Sequence, residues 1–304
     1  MKTPIGFGPN PWQQTSWDWR AAGNFIGGGM GTGLLLASAF FTGPDAAALI
    51  WLVIAALALV GIGLLCVWLE IGRPLRALHV FFNPKTSWMS REAFVGLLLF
   101  PSGLLALLGL SGWLWIAAAV ALAFLYCQSR MLPAARGIPA WRPRSLSAFM
   151  LVTGLCEGCG LLQIQSLFQQ RFESYALLAL AVLLLARIAV WTHYRRAVKA
   201  SLAPRAGAAL DRAGRFLWLA GTLAPMLLLG IAASMSSGAI QAALLAVAGV
   251  CAAFAGANAK FTLVTRASFN QGFSLVKIPV RGVPDAMHRQ ASISTTKTPS
   301  ATKP

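Results

Sequence analysis

Residues 46–69 read AAALIWLVIAALALVGIGLLCVWL, an unbroken run without a single charged side chain. An α-helix rises about 1.5 Å per residue, so a run of this length crosses a hydrocarbon core of roughly 30 Å. The run lacks the strict alternation of polar and apolar residues that is typical of strands in a membrane barrel. Residues 46–69 therefore predict one membrane-spanning helix.

Similar apolar runs occur along most of the chain. Two uncharged stretches are too long for one crossing, and turn residues divide them at Ser111-Gly112 and at Met235-Ser236-Ser237-Gly238. The pattern then predicts eight spans: Ala21 to Phe41, Ala46 to Leu69, Ala93 to Leu110, Trp113 to Ser129, Ser145 to Phe168, Ser174 to Tyr194, Phe216 to Ser234, and Gly238 to Ala259.

The composition excludes several other classes of protein. The 304 residues are 57% hydrophobic and 11% charged, whereas a soluble domain carries about a quarter charged residues. The apolar blocks follow neither heptad nor cysteine-framework spacing, which excludes a coiled coil and a disulfide-stapled module. We expect an all-α, polytopic membrane protein.

The net charge of +17 is informative mainly about how the chain is oriented in the membrane. Of the 25 Lys and Arg, 23 fall at the termini or in the loops after the even-numbered spans, leaving Arg171 on the other side and Arg187 inside a span. The positive-inside rule then predicts that both termini are cytoplasmic. The predicted divisions are a cytoplasmic segment at 1–20, a transmembrane domain at 21–260, and a cytoplasmic basic tail at 261–304 that ends in a disordered, Ser/Thr/Pro/Lys-rich stretch from Ala291.

Ionisable residues inside a span are costly, so Glu157 and Arg187 are functional candidates. They could form a structural ion pair between adjacent helices, a mid-membrane proton path, or the binding site of a secondary transporter. The sequence leaves these alternatives open.

The first span has two unusual features, a glycine stripe and an amide side chain. Gly23, Gly27 and Gly31 recur at four-residue spacing, which lets another helix approach closely. Asn24 is a rare amide near the cytoplasmic end of this span, where it could contact a ligand headgroup or serve packing alone.

No resident metal or redox centre is expected. Cys156 and Cys159 form one C-x-x-C pair, which supplies only two thiolates in an apolar helix. Haem b would need buried axial ligands, and the three histidines, His79, His193 and His288, fall in loops or at span ends.

The loop after the second span holds an unusual concentration of functional groups. From Trp68 to Glu92 the sequence contains WLEIGRPLRALH, then NPKTSWMSRE. A connecting loop needs little of this, although a basic loop anchored at the membrane by Trp88, with carboxylates balancing arginines, is the simpler alternative.

The segment GRPLR…NP…SWMSRE resembles the membrane anchor subunits of dimethyl-sulfoxide-reductase-type and polysulfide-reductase-type molybdoenzymes. The resemblance is specific over residues 68–94, and eight spans suit the former type. It implies an anchor that carries no redox centre of its own, holds a four-cluster iron–sulfur subunit and a molybdopterin catalytic subunit at the membrane, and exchanges electrons with quinone.

The resemblance also implies roles for individual residues. Glu92 occupies the position of the carboxylate that the family implicates in quinol binding and proton exchange, and Glu70 stands where dimethyl sulfoxide reductase anchors have a His. Glu70 could contact quinone or only pair with Arg73. The Trp17-to-Asn24 segment resembles the anchor associated with phenylacetyl-CoA:acceptor oxidoreductases.

Quinone chemistry moves two electrons and two protons, so a site needs hydrogen-bond donors and a titratable group. Glu92 is the predicted proton carrier, with Glu70 as the second acid. The candidate quinone-binding residues are Asn24, Arg76, His79, Trp88 and Arg91. We expect a quinone-reactive subunit of the bacterial cytoplasmic membrane that does not act on the organic substrate, whose basic loops dock the iron–sulfur partner. A purely structural assembly subunit is the remaining alternative.

Overall fold

The computed structural model describes residues 11–42, 46–71, 74–110, 112–169, 174–236 and 238–272. The regular secondary structure of the described residues is helical, and the one further feature among them is an isolated antiparallel bridge between Gln13 and Phe269. The α-helices are α1 Trp19–Phe41, α2 Ala46–Glu70, α3 Trp88–Leu107, α4 Trp113–Ala134, α5 Ser145–Leu162, α6 Ser166–Gln169, α7 Ser174–Val198, α8 Pro204–Trp218, α9 Ala224–Ser234 and α10 Ala239–Phe261.

Eight helical segments of the described chain are long and apolar enough to cross a membrane. This confirms the predicted all-α, eight-span architecture. Three of the eight are composite. α5 continues through a 3₁₀ turn into α6, α8 continues through a π-helical segment, Leu219–Leu223, into α9, and α10 continues into a π-helical segment, Thr262–Arg266.

Several helices extend beyond the predicted spans at the basic end of the bundle. The seventh span begins at Pro204 rather than Phe216, and the third begins at Trp88 rather than Ala93. Hydropathy marks only the part of a helix that lies in hydrocarbon, whereas the backbone stays helical until a cap or proline ends it. Pro204 suits the first turn of a helix, and Ser87 caps α3 by accepting the Ser90 N–H at 3.3 Å.

The predicted turns at the opposite end are confirmed. Gly109 and Gly112, between α3 and α4, have φ values of 73° and 85°, a backbone conformation that glycine adopts without strain. The long uncharged stretch near the C-terminus is interrupted between Ser234 and Ala239, as the serines and glycine there predict.

Helix α1 forms the centre of the bundle, and glycines let its neighbours approach. A Cβ at Gly27 or Gly31 would lie within 2.6 Å of backbone carbonyls of α2, which confirms the predicted packing role of this stripe. Gly33 meets the backbone of α5 at Gly154 and Gly158 in the same way. Side chains larger than hydrogen would force these helices apart.

Both ends of the described chain lie at one end of the bundle. The Gln14 N–H donates to the Ser268 carbonyl at 3.0 Å, and the rings of Trp17 and Trp141 stack with their centroids 5.2 Å apart. We call this the terminal end. An even number of spans places both ends of the chain on the same side. Helicity continues to Arg266 in a second π-helical segment, past the predicted boundary at 260. The predicted disorder from Ala291 lies outside the described residues, as does the first half of the segment at 1–20.

Asp18 starts α1 at the terminal end. Its carboxylate accepts from the backbone N–H of Arg20 at 2.8 Å and pairs with the Arg20 guanidinium. This hydrogen bonding to Arg20 holds the pKa of Asp18 below its usual range, so the cap stays ionised at neutral pH.

Candidate functional site

Glu92 lies one turn into α3 and is almost fully buried, with 5% of its surface exposed. The Ser87 cap fixes where α3 begins, and the helical repeat then turns Glu92 toward the bundle while Arg91 faces the preceding loop. A buried carboxylate in a membrane span needs hydrogen-bond partners.

Two amides supply them. The Asn24 side chain donates from Nδ2 to Glu92 Oε1 at 3.2 Å, and Gln128 of α4 donates from Nε2 to the same oxygen at 3.3 Å. Gln128 Nε2 also donates to the Asn24 carbonyl at 2.8 Å. We call Asn24, Glu92 and Gln128 the Glu92 cluster. It joins two residues that the sequence singled out for separate reasons.

Sequence reasoning missed Gln128. Ionisable groups inside a span mark candidate site residues in a sequence, and Gln128 is an uncharged amide in an apolar helix. A polar side chain within a span is nevertheless expensive without a partner, which is the signal that could have identified Gln128. Gly28 makes room for it, because a Cβ there would lie 2.3 Å from Gln128 Nε2.

A cavity of about 290 Å³ adjoins the cluster where α1 begins and α2 ends. Asn24 belongs to both the cluster and the cavity wall, and Glu70 and Ser16 add the other polar groups. Glu92 is not among the residues that line it, and Asn24 is the member of the cluster that does. The apolar wall includes Trp17, Phe25, Val67, Met89 and Met131.

Glu70 is the half-buried carboxylate of this cavity and the last residue of α2. The neighbouring Leu69 carbonyl accepts from Arg20 Nη1 at 2.9 Å, which ties the end of α2 to the start of α1. Arg73, the predicted partner of Glu70, lies outside the described residues.

Asn24 Oδ1 is buried and has no hydrogen-bond partner in the described part of the chain. The orientation of this amide follows from its neighbours, because the carboxylate of Glu92 accepts and so requires the Nδ2 group on its side. Asn24, a residue of the cavity wall, therefore keeps one acceptor without a partner.

Trp88 and Arg91 stabilise the loop rather than line the cavity. Arg91 donates to the carbonyls of Pro84 and Lys85 at 2.8 and 2.7 Å. Its guanidinium carbon lies 4.2 Å from the ring centroid of Trp88, and Arg130 approaches the same ring at 5.2 Å. Neither residue lines the cavity, and their predicted role in quinone binding stays a prediction.

His79 is exposed, packs edge to face on Phe82 with ring centroids 5.2 Å apart, and is not part of the cavity wall. Its predicted role as a donor stays a prediction. The side chain of Arg76 lies outside the described residues.

A second buried carboxylate, Glu157 of α5, pairs with Lys260 of α10. Lys260 Nζ lies 2.6 Å from Glu157 Oε2 and donates to the Phe25 carbonyl at 3.0 Å, and both side chains are fully buried. The predicted Glu157–Arg187 ion pair is therefore wrong. The predicted last span ends at Ala259, one residue before Lys260, whereas α10 continues to Phe261 and turns Lys260 inward.

The terminal nitrogens of Arg187 bond to backbone carbonyls instead, while its buried Nε has no partner among the described residues. It donates to Ala252 at 2.7 Å and to Gly221, a residue of the π-helical segment Leu219–Leu223. A π turn disrupts the ordinary i to i−4 bonding, which leaves a carbonyl available to a side chain. A buried arginine held in this way offers no support for a transporter site shared with Glu157.

The described residues contain no group of three or more His, Cys, Asp or Glu that could hold a metal ion. Cys156 and Cys159 are buried in α5, and the Cys159 thiol is 3.6 Å from the Ala176 carbonyl. Within the described chain, these thiols behave as small packing groups.

No curated protein matches this chain in sequence. A family model described as the DMSO reductase anchor subunit (DmsC) matches residues 22–210, which is more than half of the chain. The matched region contains the Glu92 cluster and Glu70, and it ends before Lys260. Together with eight helices able to span a membrane, the match shows that the chain belongs to the family of DMSO reductase anchor subunits, the membrane anchors of molybdoenzyme complexes.

Proposed function

We propose that this anchor exchanges electrons and protons with membrane quinone in the cavity bounded by Asn24 and Glu70. The observation that carries the proposal is the cavity itself, where an amide, a carboxylate and an apolar wall meet at the membrane boundary. A volume of about 290 Å³ is at the lower end of ligand pockets and suits a single ring with its substituents.

The residues present fit a quinone ring. Trp17 and Met89 offer apolar surfaces, and the unpartnered Oδ1 of Asn24 can accept a hydrogen bond from a quinol hydroxyl. When bound, the quinone supplies the capacity to take up or release two electrons and two protons. Glu70 is the titratable group on the cavity wall and would hold the proton that a bound ring takes up or releases.

The Glu92 cluster acts behind this wall. Glu92 accepts from Asn24 Nδ2 at 3.2 Å and so positions the Asn24 side-chain amide, while Gln128 donates to the Asn24 backbone carbonyl. The hypothesis that Glu92 itself carries the proton stays a prediction. It requires a route past Asn24, and a substitution of Glu92 tests it.

We further propose that the terminal end faces the bacterial cytoplasm and docks the partners. The predicted loops at this end carry almost all of the basic residues, which supports a cytoplasmic location by the positive-inside rule. The same charges complement an acidic face on a four-cluster iron–sulfur subunit, with a molybdopterin subunit beyond it. Reporter enzymes fused after Gly43, Gly109 and Ser237 should locate outside the cytoplasm, and a cytoplasmic location would overturn this orientation.

The organic substrate belongs to the catalytic partner. The Trp17-to-Asn24 segment, which resembles the phenylacetyl-CoA:acceptor oxidoreductase anchor, contributes Trp17 and Asn24 to the cavity wall. We propose that the complex is a phenylacetyl-CoA:acceptor oxidoreductase. Identification of the subunits that copurify with the tagged anchor tests this proposal. An anchor without iron–sulfur and molybdopterin partners would contradict the docking role.

The test of the cavity is Glu70→Gln in the assembled complex. This change keeps the size of the side chain but removes its titration, so quinone-coupled turnover should fall by about 10²-fold. Turnover with a soluble artificial acceptor should stay at the wild-type level. Asp45→Asn, the same chemical change before α2, is the control and should alter neither activity.

Equal quinone turnover in wild type and Glu70→Gln would remove Glu70 from the mechanism. Quinone turnover that is absent from the wild-type complex itself would instead favour the purely structural assembly subunit.

A further inference from the structure

Another cavity, of about 620 Å³, lies between α7 and α8 at the terminal end, away from Asn24 and Glu70. Three arginines line it: Arg195 and Arg196 from the last turn of α7, and Arg215 from α8. Asp211 is the only acidic side chain among the described residues of the lining, so the four charged groups sum to +2. A cavity with this balance attracts an anion.

The arginines are not fully satisfied by the chain. Arg195 donates from Nη2 to Asp211 at 2.5 Å, while its buried Nη1 finds no acceptor among the described residues. Arg196 and Arg215 are exposed at the rim. A buried guanidinium N–H without an acceptor is costly, and a phosphate oxygen would supply one.

Apart from Thr192, the rest of the wall is apolar, and it continues toward the membrane interior. Trp218 and Leu219 follow Arg215 along the seventh span, and they are 49% and 60% exposed on the surface of the bundle. Because that span runs inward from Pro204, the arginines stand at headgroup depth and the apolar residues stand below them. This sequence of charge and then hydrocarbon matches the layers of a phospholipid.

We propose that the cavity between α7 and α8 binds an anionic phospholipid, with phosphate at Arg195, Arg196 and Arg215 and an acyl chain along Trp218 and Leu219. A soluble acidic protein would match the charge but would leave the exposed apolar wall uncovered. Basic pockets between membrane helices bind lipid headgroups by this combination of charge and hydrocarbon contact. Gly214 lets Trp191 of the cavity wall pack against α8, since a Cβ at Gly214 would lie 2.7 Å from the indole nitrogen of Trp191.

The test is a lipid titration of the full chain in mild detergent, followed by native mass spectrometry. Cardiolipin and phosphatidylglycerol are the probes, and phosphatidylcholine is the neutral comparison. The wild type should bind the anionic lipids in preference. The double variant R196Q/R215Q should bind them about 30-fold more weakly, because each basic residue near an anionic headgroup contributes about fivefold.

The matched control is R205Q/R212Q, which removes two positive charges from α8 outside the cavity and should change the affinity by less than about twofold. Asp211→Asn provides a test of opposite sign. It removes the competing carboxylate from Arg195, so anionic lipid should bind about fivefold more tightly, a gain that misfolding does not produce.

Equal binding of phosphatidylcholine, an equal loss in the control, or weaker binding in Asp211→Asn would each overturn the proposal. Displacement of the lipid by excess inorganic phosphate would identify a site for soluble phosphate compounds instead. Loss of the iron–sulfur partner from R196Q/R215Q with unchanged lipid binding would assign the cavity to protein docking.

Discussion

The Glu92 cluster and the Glu157–Lys260 pair lie on neighbouring faces of one turn of α1. Asn24 offers its carbonyl to Gln128, and the next residue, Phe25, offers its carbonyl to Lys260. Gly28 and Gly29 then leave space for these two side chains, since a Cβ at Gly29 would lie 2.1 Å from Lys260 Nζ. One helix turn therefore supports two buried carboxylates in different ways.

The difference between them is charge compensation. Glu157 has a lysine ammonium at 2.6 Å, whereas the donors to Glu92 are two neutral amides. Amides hydrogen bond to a carboxylate or to its protonated form, but an ammonium favours the carboxylate alone. The compensated acid suits helix assembly, and the uncompensated one, beside a cavity, suits chemistry.

The largest effect is expected from Lys260→Met. It keeps most of the side-chain volume but leaves Glu157 buried and unpaired, which costs about 3–5 kcal/mol and should abolish most folded protein. The double variant Glu157→Gln with Lys260→Met should recover much of the yield, measured by size-exclusion chromatography and thermal unfolding in detergent. Well-folded Lys260→Met protein that lacks quinone turnover would show that the pair is functional rather than structural.

Glu92→Gln comes next, with the opposite signature. The new side chain is similar in size, so folding should be retained, but its amide group would compete with Asn24 and Gln128 for the remaining acceptors. Quinone-coupled turnover should fall by about 10²-fold while artificial-acceptor turnover is kept.

The pH profile of quinone turnover separates the two roles of Glu92. A positioning role through Asn24 raises the KM for quinol and leaves the profile unchanged, whereas a lost proton carrier lowers kcat and removes a limb of the profile. Full quinone turnover in this variant would exclude both roles.

Alanine substitutions at Gly28 and Gly29 should have smaller effects that still distinguish the Glu92 cluster from the Glu157–Lys260 pair. Overpacking of this kind costs about 1–3 kcal/mol. Gly29→Ala displaces Lys260 and should lower thermal stability most, while Gly28→Ala displaces Gln128 and should lower quinone turnover most. Gly230→Ala is the control, because a Cβ there meets nothing within 4 Å. Identical phenotypes for Gly28 and Gly29 would mean that the clusters act as one unit.

The smallest effect is expected from Arg91→Gln. Arg91 contacts Trp88 and loop carbonyls, so its loss should cost about 1 kcal/mol of stability and change quinone turnover by less than about twofold. Thermal unfolding and turnover of the assembled complex measure the two effects. A tenfold or greater loss of quinone turnover would return Arg91 to the site.

The sequence by itself determined the eight helices and the turns that separate them. Those features depend on local properties, namely the length of apolar runs and the backbone freedom of residues such as Gly112. It also identified Asn24, Glu70 and Glu92, because a polar group at a membrane boundary is conspicuous in an apolar chain.

Only the tertiary structure decided which side chains meet. Glu157 pairs with Lys260 across 103 positions of sequence, and Glu92 bonds to Gln128 across 36. Pairing depends on the rotation of each helix about its axis and on where the helix ends. A one-residue error in either one changes whether a side chain is expected in the core, as at Lys260. Helix rotation is set by packing against several neighbours at once, which no single stretch of sequence encodes.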